Sequence, residues 1–479
     1  MADEGFTSHR RDPVKSSVGN AAASRRRQLA VTVGKERREA LFRAKRLCRD
    51  AIVGSDGEVV EDKEMVIDEG DAASNKRTSD AVQELTAAFL YQGKGAMQKK
   101  VQALQNLRRI LSNSDVPPVE ACVQAGAVPI LTQCLSFGSP DEQLLEAAWC
   151  LTNIAAGEPE QTKALLPALP LLIAHVGDKS TLAVAEQCTW ALGNVAGEGE
   201  DMRNILLAQG ALPPLARMML SNKGSTARTA AWALSNLIKG PDPKAANELI
   251  RIDGVLGAIV RHLGKADEEL ATEVAWVAVY LSALSNMAID MLLKSDAVLI
   301  LVERLETSNH LQLLIPEAAW VLSNIGAGSL AHKQLIYSSE AVPLLLRLLS
   351  TAPFDIRKEV AYALGNLCVA PADGPGQPKV ILEHLISLVG RGCLSGFVNL
   401  VRSADVEAAK LGLQFCGAGK LIRVLVMRGM PNSEGPKLVE KEDGIDAMER
   451  FQFHENEDLR NMANGLVDKY FGEDYGLDE

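Results

Sequence analysis

The sequence lacks the paired cysteines that disulfide frameworks and zinc sites use. Its eight cysteines include no CxxC pair, and most of them lie in apolar segments such as AAWCLTN and GNLCVA. Free cysteines in such segments behave as small apolar side chains and persist in reducing compartments. We therefore expect buried free thiols.

The sequence also lacks an apolar segment long enough to span a membrane. The longest apolar run, ALLPALPLLIAHVG at residues 164–177, is shorter than the about 20 residues that a spanning helix needs, and prolines interrupt it. The first residues, MADEGFTSHRRD, are charged and do not form a signal peptide. A soluble intracellular protein is expected.

Enzyme signatures are missing as well. The segment CGAGK at residues 416–420 looks like a phosphate loop, but its first glycine is not at the required spacing, and Leu421 stands where Ser or Thr is needed. The seven histidines are scattered and form neither an HExxH motif nor a Cys/His cluster. We predict that the protein is not an enzyme and has no catalytic residues, no metal site and no cofactor.

What the sequence does contain is a repeat marked by tryptophan. All five tryptophans occupy one position of a recurring segment, which reads EAAWCLTNIAAG, EQCTWALGNVAGEG, RTAAWALSNLIKG, EVAWVAVYLSALS and EAAWVLSNIGAG. Tyr362 takes this position in a sixth copy, and successive copies are 41, 42, 44, 44 and 42 residues apart. A fixed period of this length with three helices per unit predicts an all-α, right-handed armadillo-repeat solenoid of about nine repeats.

Within each segment the tryptophan lies off the apolar stripe of its helix. On a helical wheel Leu144 and Leu151 share one face, whereas Glu146, Trp149 and Asn153 share the opposite face. We expect a displayed ladder of Trp and Asn; the alternative is that the tryptophan is an ordinary core residue. An asparagine amide suits the backbone of an extended peptide, and indole faces suit side chains that end in a cation. The predicted ligand is an extended, Lys/Arg-rich peptide.

Charge divides the chain into a basic arm and an acidic body. Residues 1–50 carry a net charge of +7, and the remaining residues carry −18. The acidic body argues against nucleic acid as the main ligand. We predict a basic arm at 1–50, an acidic flexible linker at 51–80, the solenoid at 81–473 and a short acidic tail at 474–479. Taken alone, the arm has an alternative reading as a basic tail that targets the protein to the nucleus or to RNA.

The Trp/Asn motifs behind a basic arm resemble the importin α family over nearly the whole chain. The resemblance implies a nuclear-import adaptor that binds basic nuclear-localisation signals in a concave groove and links cargo to importin β through the arm. It also implies recycling by a nuclear export receptor with Ran-GTP and shuttling between cytoplasm and nucleus, without nucleic acid or membrane insertion. The alternative is a non-transport armadillo scaffold that binds another extended partner.

The resemblance also assigns site residues by position. The major site for cargo signals would comprise Trp149, Asn153, Gly157, Thr162, Trp190, Asn194, Glu198, Trp232, Asn236, Glu273 and Trp276. The minor site would comprise Glu317, Trp320, Asn324, Glu359, Tyr362 and Asn366. The importin-β-binding arm would use Arg25, Arg26, Arg27, Lys35, Arg37, Arg38, Arg43, Lys45, Arg46 and Arg49. Gly157, Thr162 and Glu198 would hold one key lysine of the signal, with Glu in place of the family's Asp, and Tyr362 replaces a tryptophan of the family.

Two departures from the family pattern carry further expectations. The interval from Trp276 to Trp320 is a single period, whereas family members place a repeat without tryptophan between these two positions. We expect that one repeat is missing there, so that bipartite signals with shortened linkers fit better. The pair Lys45 and Arg46, which is shorter than the family's basic triplet, predicts weak self-inhibition by the arm. The segment CGAGKLIRV at residues 416–424 fits no repeat.

Overall fold

The computed structural model of the chain describes residues 71–112, 116–177, 179–306, 314–369, 379–417 and 426–472. Within these ranges every regular element is a helix, which confirms the all-α prediction. The predicted basic arm, the predicted linker up to residue 70, the acidic tail and residues 418–424 of CGAGKLIRV lie outside the described residues.

The described residues form two compact units, which divide between Ile300 and Leu301. The helices of the first unit are α1 (Asp71–Leu90), α2 (Ala96–Ser112), α3 (Val119–Gln124), α4 (Ala127–Cys134), α5 (Asp141–Ala155), α6 (Pro159–Lys163), α7 (Leu169–His175), α8 (Leu182–Glu198), α9 (Glu200–Ala208), α10 (Leu212–Met219), α11 (Gly224–Ile238), α12 (Lys244–Arg251), α13 (Val255–Leu263), α14 (Glu268–Leu284) and α15 (Asn286–Leu293), with a 3-10 turn at Leu166–Ala168. The division falls within α16 (Ala297–Glu306).

The second unit has the same kind of organisation. Its helices are α17 (Ile315–Gly326), α18 (Leu330–Tyr337), α19 (Ala341–Thr351), α20 (Phe354–Leu367), α21 (Lys379–Gly390), α22 (Cys393–Val401), α23 (Val406–Cys416), α24 (Val426–Gly429), α25 (Gly435–Lys441), α26 (Gly444–Glu449) and α27 (Glu457–Phe471), with a 3-10 turn at Pro431–Ser433.

One long helix per repeat packs against its counterpart in the next repeat. In the first unit these helices are α2, α5, α8, α11 and α14, and in the second unit they are α17, α20, α23 and α27. Two shorter helices precede each of α5, α8, α11 and α14, as an armadillo repeat requires. Counted over the described residues, the long helices agree with the predicted number of about nine repeats.

Small residues allow the long helices to pack closely. Ala147 and Ala148 in α5 are fully buried, and alanines at the same positions of α11 are fully buried too. A glycine occupies the turn between the two shorter helices of a repeat. Gly126 and Gly254 stand there with φ of 82° and 80°, a left-handed conformation that side chains with a Cβ disfavour.

The predicted linker ends earlier than the sequence indicates. Helix α1 begins at residue 71, so the last ten residues assigned to the linker at 51–80 are helical. Thr78, Val82 and Leu85 of α1 are buried, and α1 packs against α2. Because helix formation is cooperative, this buried part of α1 supports the polar turns that precede it.

The cysteines of the described residues match the expectation of buried free thiols. Seven cysteines are free and buried, and Cys48 lies outside the described residues. Burial raises the pKa of Cys122 and of Cys416 to about 12. No single described helix is long and apolar enough to span a membrane; α21 and α22 pass that test only as a pair, and they are bent by 83°.

Candidate functional site

The predicted site residues lie on the long helices as two rows. We call Trp149, Asn153, Trp190, Asn194, Trp232 and Asn236 the first row; they belong to α5, α8 and α11, which pack side by side. We call Trp320, Asn324, Tyr362 and Asn366 the second row; they belong to α17 and α20, which are also neighbours. The two rows lie in different compact units.

Three row asparagines are anchored to the preceding repeat in the same way. The amide nitrogen donates to the carbonyl of the residue just before the preceding row asparagine: Asn194 Nδ2 to Thr152 O at 3.1 Å, Asn236 Nδ2 to Gly193 O at 3.0 Å, and Asn366 Nδ2 to Ser323 O at 3.0 Å. Asn153 Nδ2 donates to the Ser112 hydroxyl at 2.9 Å. Because its nitrogen is held, each amide has a fixed orientation.

In this orientation two asparagine side-chain oxygens of the first row remain available as hydrogen-bond acceptors. Asn153 Oδ1 and Asn194 Oδ1 are buried, and neither accepts a hydrogen bond from the part of the chain that the structure describes. Asn236 Oδ1 instead accepts from Lys239 Nζ at 3.3 Å. A buried carbonyl oxygen without a donor costs about 1–3 kcal/mol, a cost that an incoming N–H group offsets.

The tryptophans are less exposed than predicted. Trp232, Trp276 and Trp320 are only 5%, 4% and 2% exposed, so the prediction of displayed indoles is wrong for them, whereas Trp149 and Trp190 are half-buried. For Trp232 the reason is visible at Gly193, where a Cβ would overlap the six-membered ring of the indole. This indole lies on the bare backbone of the preceding repeat, which removes apolar surface from water.

The same folding brings the rings of the first row together. The centroids of Trp190 and Trp232 are 6.2 Å apart, and the ring planes meet at 64° in an edge-to-face contact. Trp276 lies 5.9 Å from Tyr280, which occupies the asparagine position of its repeat and is fully buried. The repeat after the first row therefore carries a buried aromatic pair in place of a Trp/Asn pair.

The sequence reasoning missed two residues at the other end of the first row. Counting 41 residues back from Trp149 and Asn153 leads to Arg108 and Ser112, which take the row positions in α2. The Arg108 guanidinium lies 4.5 Å from the centre of a Trp149 ring, and its Nε is 2.5 Å from Glu146 Oε2. The repeat period, extended one step towards the N-terminus, is the signal that would have found them.

Four carboxylates that stand one turn before the aromatic residues of the long helices are not free surface charges. Glu146 forms an ion pair with Arg108, so its charge is compensated within the protein. Glu273, Glu317 and Glu359, which stand one turn before their aromatic residue, are buried. These four carboxylates are therefore packed between the long helices and are not exposed to solvent as a charged surface.

Two of the three residues predicted to hold a lysine do meet. Thr162 Oγ1 lies 3.3 Å from Glu198 Oε2 and donates to Ala155 O at 3.2 Å. Gly157 stands just before α6, where the Glu158 N–H donates to Gln161 Oε1 at 2.9 Å. Their role in holding a lysine stays a prediction. The arm residues between Arg25 and Arg49 lie outside the described residues.

Comparisons with known proteins identify the family. Residues 115–156, 200–239 and 331–369 match the Armadillo/beta-catenin-like repeat, and residues 141–195 match a HEAT-like repeat. The chain is 62% identical to importin subunit alpha-9 of Arabidopsis thaliana, with 100% of both chains covered. It is 59% identical to importin subunit alpha-2 of Oryza sativa subsp. japonica, over 98% of this chain and 97% of that one. The chain belongs to the importin α family.

Solved structures support the fold of this importin α. The crystal structure of an engineered protein matches with a TM-score of 0.66 at 23% identity, over 80% of this chain and 87% of that one. Family membership assigns the chain to nuclear protein import, in a family of non-enzymatic transport adaptors.

The alignment with the Arabidopsis importin α is longer than the chain itself. It extends over 529 positions, whereas the chain has 479 residues. The excess is of the same order as the about 40–47 residues of one armadillo repeat. The loss of one repeat between Trp276 and Trp320 stays a prediction.

Proposed function

We propose that the first row of this importin α binds a Lys/Arg-rich nuclear-localisation signal in extended form. The observation that carries the proposal is the pair of buried Asn Oδ1 acceptors at Asn153 and Asn194, each one turn from a half-buried indole. An extended peptide presents backbone N–H groups to such acceptors, while its cationic side chains lie against the indole faces.

The spacing of the row fits an extended backbone. Packed helices lie about 8–10 Å apart, and an extended chain covers that distance in about three residues. Successive asparagines therefore meet every third residue or so of the peptide, and the residues between them direct their side chains towards the indoles. Because Trp190 and Trp232 touch edge to face, the rings must part when a lysine stem enters between them.

A carboxylate gives the row its preference for a cation. Glu198 lies beside the Thr162 hydroxyl at 3.3 Å, so a lysine that reaches this point meets one negative charge and one hydroxyl acceptor. Asn153 on α5 belongs to one repeat, and Thr162 on α6 and Glu198 on α8 belong to the next. One lysine would therefore contact two adjacent repeats.

The arm extends the proposal to the transport partners. Residues 1–50, with a net charge of +7, would bind the acidic protein importin β, and the cargo would travel with the complex into the nucleus. A nuclear export receptor with Ran-GTP would return this importin α to the cytoplasm. The protein would accordingly shuttle between the two compartments.

A retention experiment tests both halves of the proposal. The recombinant full chain is passed over an immobilised lysine-rich signal peptide and over the same peptide with its lysines replaced by alanine. We expect retention only by the first, and capture of importin β by the full chain but not by a chain without residues 1–50. Equal retention by both peptides would favour the alternative, a scaffold for another extended partner.

A further inference from the structure

A buried lysine occupies, in the second row, the place that Thr162 has in the first row. Thr162 follows Asn153 by nine residues, and Lys333 follows Asn324 by nine residues. The surrounding turn agrees. The residue five positions after each of these two asparagines donates its backbone N–H to a side chain three residues further on. The Glu158 N–H donates to Gln161 Oε1 at 2.9 Å, and the Ser329 N–H donates to His332 Nδ1 at 3.3 Å.

The two side chains also contact equivalent atoms. Thr162 Oγ1 donates to Ala155 O, two residues after the row asparagine, and Lys333 Nζ donates to Gly326 O at the same position. Each side chain also contacts the next long helix along the chain. Thr162 contacts the carboxylate of Glu198, whereas Lys333 Nζ donates to Asn366 O at 2.7 Å.

Lys333 therefore places a positive charge where the first row offers a place for a ligand lysine. Its side chain is only 2% exposed, so the ammonium lies inside the repeat junction with its donors directed at main-chain oxygens. A buried charge is stable only when it is paired or hydrogen-bonded. A second cation at this position would find these oxygens in use and would be repelled by Lys333.

The second row also has no carboxylate at the sequence position that corresponds to Glu198. Glu198 follows Asn194 by four residues, whereas the residue four positions after Asn366 is Ala370. Ala370 lies outside the described residues, but an alanine supplies no negative charge wherever it lies. The second row therefore differs from the first by Lys333 in the structure and, in the sequence, by Ala370 in the position that corresponds to Glu198.

We propose that Lys333 fills the cation pocket of the second row, so that this importin α recognises a single basic cluster through its first row. The second row keeps Trp320, Asn324 and Asn366 but accepts no ligand lysine between them. This inference rests on the proposed function, because it takes the first row as the model for a cation pocket.

Calorimetry with two peptides tests the inference on the full chain. One peptide carries a single lysine-rich cluster, and the other carries that cluster plus a second basic cluster, in versions with several linker lengths. We expect the natural protein to bind both within about twofold. Lys333→Thr should bind the two-cluster peptide at least about tenfold more tightly, as two linked sites do, and the single-cluster peptide as before.

A second arm removes the influence of the linker. Trp190→Ala with Asn194→Ala weakens the first row, and adding Lys333→Thr to it should restore binding of a single basic cluster, now at the second row. Lys333→Met is the matched control, because it keeps the length of the side chain and removes its charge and donors. It should fold and should restore no binding, since the pocket stays filled.

The outcomes separate this inference from the proposed function. If the natural protein already binds the two-cluster peptide about tenfold more tightly, or if Lys333→Thr folds and gains nothing, the inference is wrong and the first-row proposal stands. If the natural protein binds neither peptide, the proposed function itself fails. Should Lys333→Thr not fold, the comparison of peptides on the natural protein still decides.

Discussion

Removing one step of the first row should weaken signal binding by a predictable amount. The double substitution Trp190→Ala with Asn194→Ala removes a half-buried indole and the acceptor Oδ1 that lies one turn away. The anchor from Asn194 Nδ2 to Thr152 O is lost in the free and the bound protein alike, so it cancels from the binding free energy.

The expected loss combines two contributions. A cation–π contact with an indole contributes about 0.5–2 kcal/mol, and a hydrogen bond to a buried acceptor about 0.5–1.5 kcal/mol, or more when the peptide N–H is left without a partner. Together we expect about 1–4 kcal/mol, which corresponds to a loss of about 5-fold to 1,000-fold in affinity.

Isothermal titration calorimetry with a single-cluster lysine-rich peptide measures this loss. The matched control is Tyr362→Ala with Asn366→Ala, because Tyr362 is also half-buried and Asn366 Nδ2 has the same type of anchor, to Ser323 O at 3.0 Å. We expect the control to bind like the natural protein. Unchanged affinity in the first-row variant, or equal losses in both variants, would refute the reasoning.

Four more expectations follow from the structure and the sequence. Deleting residues 1–70, which leaves α1 whole, should tighten peptide binding, and more so at low salt, because competition by the basic arm is electrostatic; equal titrations of both chains at every salt concentration would exclude self-inhibition. Gly193→Ala should lower the unfolding midpoint and shift tryptophan emission to the red. Its Cβ would overlap the Trp232 indole at a cost of about 1–3 kcal/mol, which exceeds the helix-propensity gain of up to about 1 kcal/mol. Gly197→Ala is the control that should change neither, because its Cβ would stay 3.6 Å from the nearest atom. Burial lowers the pKa of His262, so its neutral form stabilises the fold fully above the usual histidine pKa and progressively less as pH falls below it; denaturation at pH 7.5 and 5.5 should show a smaller difference in His262→Gln than in the natural protein. In Lys333→Thr, two-cluster peptides that differ only in linker length should bind best with a linker shorter than the family's usual one, and an optimum at the usual length would exclude the loss of a central repeat.

Periodicity made the repeats predictable from the sequence. The tryptophan positions set the period, and the alanines and leucines beside them mark the buried face, so the sequence alone locates the long helices. The start of α1 could not be placed, since Asp71–Lys76 is as polar as a linker and its helix depends on Val82 and Leu85 further along.

The site was only partly predictable, because a helical wheel describes one helix at a time. It separated Trp232 from the apolar stripe of α11, but it contained no information on Gly193 in the neighbouring helix, against which the ring is buried. The helical wheel of α17 also contains no information on Lys333, which lies on the next helix. The equivalence of Lys333 with Thr162 appears only when the residues nine positions after Asn153 and Asn324 are compared.

The most direct test of the central claim is to map where a basic signal lies on the protein. A lysine-rich peptide with one photoreactive side chain between its lysines is bound to the full chain, crosslinked by light and located by mass spectrometry. We predict crosslinks within α5, α8 and α11, near Trp149, Trp190 and Trp232. Crosslinks mainly at α17 and α20, or on the shorter helices, would contradict the assignment of the first row as the signal-binding site.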